Sequence, residues 1–74
     1  MIRMLENKLF AFETFSSEPK KMYLFLLCDD IRRLVSRIRE ENLYSLLTLK
    51  DKETIKSVER FYIENKEIGL LLGY

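Results

Sequence analysis

The sequence predicts a small α+β domain with elements in the order β-β-α-β-α-β and both helices on one face of a sheet. Three observations point that way. Residues 8–15, "KLFAFETF", partly alternate polar and apolar positions and are dense in phenylalanine, as strands are. "MYLFLLC", residues 22–28, is apolar at every position, the pattern of a central strand covered on both faces. Asp29 and Asp30 follow it directly and resemble the cap of a helix that begins after a strand. The alternative is an all-α helical bundle. It takes Ser17 before Glu18-Pro19 as a helix start and runs one helix from Pro19 to Glu41.

In chain order, the first strand spans Lys8 to Phe15, with Leu9 and Phe10 read as part of its core. "SSEPKK", holding the only proline, reads as a turn. "MYLFLLC" is the second strand. In "DDIRRLVSRIREEN", Ile31, Leu34, Val35 and Ile38 fall at i, i+3, i+4 and i+7, which is the apolar stripe of a helix. "LYSLLTL", residues 43–49, reads as a third, buried strand. Asp51 is placed as the cap of a second helix reaching about Asn65, with Ile55, Val58, Phe61 and Tyr62 inward. "EIGLLLGY" closes the domain as a last strand. Right-handed crossovers would put both helices on one side of such a sheet. Its other apolar face then stays uncovered, and a homodimer or a docked partner is the expected completion.

The 74 residues make one domain, 1–74, at a size where apolar burial only narrowly exceeds chain entropy. Cys28 is the only cysteine, so no disulfide can form within the chain. A lone thiol in an apolar run suggests a reducing, cytoplasmic setting. No secretory leader pattern is present, and the longest apolar run is too short to cross a bilayer.

Thirteen basic and twelve acidic residues leave a net charge of +1. The balance also holds locally: four basic against three acidic residues in 1–28, four against four in 29–42, five against five in 43–74. A dedicated nucleic-acid binder shows a basic excess or stripe, so nucleic acid is not the first partner expected.

Catalytic chemistry is hard to place. With no histidine and one cysteine, Cys/His zinc sites and Cys-His or Ser-His nucleophiles are unavailable. Asp29-Asp30 and Glu40-Glu41 are adjacent pairs, whose side chains diverge on a helix. The two glycines stand apart and form no phosphate-binding loop. No enzyme, metal or cofactor is therefore expected.

Two features remain as binding candidates. Arg32, Arg33, Arg37 and Arg39 lie on one helix, and the spacing of Arg33 and Arg37 lets two grip phosphates from one face. That would make the chain a small nucleic-acid-binding transcriptional regulator. "ENKLF", Glu6 to Phe10, resembles the peptide by which replication proteins dock on the bacterial sliding clamp. Leu9 and Phe10 match its apolar anchors, and Glu6 stands where that pattern has glutamine.

In length, Lys/Glu/Ile/Leu-rich character and lack of catalytic groups, the chain resembles the small staphylococcal-bacteriophage polypeptides, of Twort type, that inhibit the host's sliding clamp. That resemblance implies a protein-binding inhibitor of host DNA replication in the bacterial cytoplasm. It would either fill the clamp's partner pocket with Leu9 and Phe10 or occlude the basic DNA channel with carboxylates. Asp51, Glu53, Glu59 and Glu64 are the candidate carboxylates, interleaved with Lys52, Lys56 and Arg60.

Overall fold

The computed structural model of the chain describes residues 1–15 and 21–73, and every element in it is helical. Helix α1 spans Ile2–Phe15, α2 Lys21–Glu40, α3 Leu49–Glu64 and α4 Lys66–Leu71, with one 3-10 turn at Tyr44–Leu46. The α+β expectation is thus wrong, and the helical alternative describes the fold. Among the described residues there is no strand. The turn expected at "SSEPKK" lies, but for Lys21, outside the described residues.

Periodicity explains the error. In α1 the buried side chains are Leu5, Leu9 and Phe12, at i, i+4 and i+7, which is one stripe of a helix. Phe10 and Phe15, which made the segment look strand-like, stand off that stripe and are 71% and 40% exposed. In α2 the stripe Leu24, Cys28, Ile31, Val35 and Ile38 continues from the apolar run into the arginine-rich segment without a break. "MYLFLLC" is accordingly not covered all round, since Met22, Tyr23 and Leu26 are exposed.

Asp29 and Asp30 cap nothing. They sit in the middle of α2, where Asp29 pairs with Arg33 at 3.0 Å and Asp30 with Lys8 at 3.5 Å. The Lys8 pair and the edge-on Phe15–Tyr23 contact, 6.0 Å between centroids, fix α1 antiparallel to α2.

Helix α2 ends by a Schellman arrangement. Asn42 takes the left-handed conformation at φ 60°, Leu43 N–H donates to the Ile38 carbonyl at 2.9 Å, and Asn42 N–H to that of Arg39 at 3.0 Å. Asparagine is among the few residues that enter this region at low cost. "LYSLLTL", expected as a strand, is the 3-10 turn and an entry segment that buries only Leu47 fully. The cap of α3 is Thr48, whose hydroxyl oxygen accepts from Asp51 N–H at 3.1 Å. Asp51 therefore lies inside the first turn, where its charge suits the helix's positive end.

Asn65 stops α3 by turning both its N–H and its Nδ2 onto the Phe61 carbonyl, at 3.1 and 2.8 Å. The segment after it, expected as a strand, is α4. Gly69 of α4 lies against the Cζ tip of the Phe25 ring, which stacks on Tyr62 at 4.7 Å. Leu5, Ile31, Ile38 and Val58, all fully buried, centre the core where α1, α2 and α3 meet. With no sheet, the homodimer loses the uncovered sheet face that motivated it.

Candidate functional site

The face shared by α1 and α3 gathers most of the clamp-directed candidates. On α1, the positions next to the core stripe are Glu6, Phe10 and Glu13, so they project beside α3 rather than into the interior. On α3, Lys50, Asp51 and Thr54 meet them across a hollow of about 170 Å³. That hollow runs, through Glu13, Lys50 and Thr54, into a longer groove of about 600 Å³ bordered by Glu53, Ser57, Arg60 and Glu64. Phe12 and Phe61, in edge-on contact at 6.0 Å, form its apolar floor.

Thr54 ties the two helices together. Its hydroxyl donates to a Glu13 carboxylate oxygen and lies 3.1 Å from the Lys50 carbonyl oxygen. Lys50 Nζ reaches the other Glu13 oxygen at 4.0 Å. Around the groove stand five carboxylates, Glu6, Glu13, Asp51, Glu53 and Glu64, against two cations, Lys50 and Arg60. One Asp51 oxygen, Oδ2, is buried there with no hydrogen-bond partner among the described residues. The near-neutral total charge conceals this local acidic excess.

Of the clamp-directed candidates, Leu9, Phe10, Asp51, Glu53 and Glu64 all border this face. Leu9 does so as a core residue, only 3% exposed, so it is not a free anchor. Phe10 is the reverse: read from sequence as core, it is the most exposed aromatic on the face. Glu59 is elsewhere, held by Arg32 Nε at 3.2 Å. Glu13 and Thr54 were not anticipated. The signal was the i, i+7 spacing of Glu6 and Glu13, visible only once the segment is read as a helix.

The four arginines divide. Arg32 lies over Tyr62, its Cζ 4.0 Å from the ring centroid, and is bound to Glu59. Arg33 is paired with Asp29 within the helix. Arg37 is exposed, and Arg39 stands 4.7 Å from the Tyr44 ring. The intended pair, Arg33 and Arg37, shares a face, but only Arg37 lacks a carboxylate partner among the described residues.

Cys28 belongs to the core. Its thiol is fully buried, and desolvation, reinforced by the Glu59 charge and opposed by Arg32, pushes its pKa from 9.0 up to about 12. It is an un-ionised, unreactive thiol at neutral pH. Among the described residues no cluster of three or more Asp, Glu, Cys or His side chains could hold a metal ion, and no helix is long and apolar enough to cross a membrane.

No protein-family model, curated protein or solved structure matches this chain.

Proposed function

We propose that the chain is a protein-binding inhibitor of bacterial DNA replication that docks on the sliding clamp through the α1/α3 face. One observation carries this reading: an exposed phenylalanine, Phe10, stands among five carboxylates on a face lined by two cations among the described residues. A clamp is a ring whose channel is basic so that it can hold DNA. An acidic surface is drawn to such a lining, and complementary charge speeds and orients the encounter. A desolvated aromatic side chain then supplies much of the holding energy.

The helical setting of "ENKLF" favours this mode over insertion of a linear peptide. Leu9 and Phe10 point to different sides of α1, and Leu9 could enter a partner pocket only if α1 left the core. The face, presented whole, is the better fit to occlusion of the channel. Titration calorimetry of the full chain against purified clamp tests the proposal. Submicromolar binding that weakens with salt is expected, and E53K/E64K should reduce it at least tenfold while the melt is kept. No binding of the unmodified chain at about 50 μM clamp, weaker than any specific interface of interest, would end the proposal.

A second reading, a nucleic-acid-binding regulator, is favoured by a different observation. All four arginines stand on one continuous 20-residue helix, and Arg37 and Arg39 have no carboxylate partner among the described residues. Fluorescence anisotropy with duplex DNA over a salt series separates the readings, because phosphate contacts lose affinity steeply as salt rises. Clamp binding without DNA binding is the expected pair of results.

A further inference from the structure

Away from the acidic face, the corner where α2 ends and α3 begins collects positive charge. Arg39, in the last turn of α2, has its guanidinium carbon 4.7 Å from the centroid of the Tyr44 ring. Lys52 of α3 has its Nζ 5.4 Å from the same centroid. Both lie within cation–π distance of one half-buried ring. Neither has a carboxylate within 4 Å among the described residues, although Glu40, Glu41 and Asp51 are their neighbours in the chain.

Helix electrostatics account for only one of the two. Arg39 suits the negative end of α2, but Lys52 stands near the positive end of α3, where a cation is disfavoured. The fold thus brings two like charges to a shared aromatic wall, without a counter-ion among the described residues. They face a hollow of about 480 Å³ whose other lining residues, Asn42 and Ser45, carry neutral hydrogen-bond donors. The Schellman turn carries Asn42 and the 3-10 turn after it carries Ser45, which places both at the rim of the same hollow as the cations.

We propose that this corner is a phosphate-binding site. Arg39 and Lys52 hold the anion, Ser45 and Asn42 donate to its remaining oxygens, and Tyr44 keeps both cations in place. The inference deepens the second reading by naming the group that would be bound, and it does not depend on the clamp.

The test is an amide-resolved NMR titration of the full chain with inorganic pyrophosphate, and separately with a 12-nucleotide oligothymidylate. Saturable shifts confined to residues 39–52 are expected, with a dissociation constant of about 1 mM or tighter, as two charge-assisted hydrogen bonds sustain. R39Q and K52Q, which keep the apolar stems, should each weaken binding about tenfold. Oligothymidylate binding at the same residues would trace the phosphate to a nucleic-acid backbone. Pyrophosphate binding alone would assign a small phosphate-bearing ligand, supporting the site while removing the nucleic-acid reading. No saturation by about 10 mM, or equal shifts at Arg33 and Lys56, overturns the proposal, and the unmodified chain alone can return either result.

Discussion

Leu9 and Phe10 are adjacent in the chain, yet the fold gives them opposite roles, and two alanine substitutions measure this directly. Leu9 is 3% exposed among the core side chains of α1, α2 and α3. Removing a buried leucine side chain costs about 2–5 kcal/mol through lost burial and the cavity left behind. A domain of this length has roughly 4–11 kcal/mol of total stability. A cost near 3 kcal/mol lowers Tm by roughly 12–24 °C at this size.

Phe10 is 71% exposed in the middle of α1, so little burial is lost on truncation. Alanine also has the better helix propensity, by about 0.5 kcal/mol. Phe10→Ala should move stability by less than about 0.5 kcal/mol in either direction, hence Tm by less than about 4 °C. Circular dichroism at 222 nm during heating reads both variants, and calorimetry against the clamp reads function. Phe10→Ala should weaken clamp binding by at least about tenfold, the effect of an anchor contributing more than about 1.4 kcal/mol. A fall in Tm of more than about 8 °C for Phe10→Ala would show that the ring is buried and refute the exposed-anchor argument.

Other substitutions probe single contacts. Gly69→Ala should destabilise despite its gain in helix propensity, because the new Cβ would lie 2.8 Å from Phe25 Cζ. That ring is 1% exposed and stacked on Tyr62, so moving it aside disturbs the core, and overpacking costs about 1–3 kcal/mol; a rise in Tm would refute this. Thr48→Ala removes the hydroxyl that caps α3 and should cost about 1 kcal/mol in denaturant unfolding. Cys28 makes stability depend on alkaline pH. Its folded pKa is raised, so the unfolded chain releases the proton first, and stability present below pH 9.0 is lost as pH rises toward about 12. The loss should be about 1.4 kcal/mol per pH unit in that window. Unfolding midpoints of the native chain and Cys28→Ala at pH 8 and 10 should therefore converge as pH rises; parallel behaviour would refute it.

Some of this protein is legible in its sequence because the determining interactions are local. The stripe Ile31, Val35 and Ile38 marks a helix, and so does Ile55 with Val58. The buried, unreactive position of Cys28 follows as directly from its place in an apolar run. The first half of the chain could not be decided this way. A run such as "MYLFLLC" satisfies a buried strand and a helix flank equally, and the two differ only in what covers each side. The tertiary structure decided it: the stripe of α2 passes unbroken through Cys28 to Ile38, and α1 and α3 cover that one side. The same packing separated Leu9 from Phe10 and sent Glu59 to Arg32. It also gathered Glu13, Glu53 and Glu64 from two helices onto one groove, and Arg39 and Lys52 around one tyrosine. Charge counted along the chain averages over these groupings. Only the way the helices pack fixes which charges become neighbours in space.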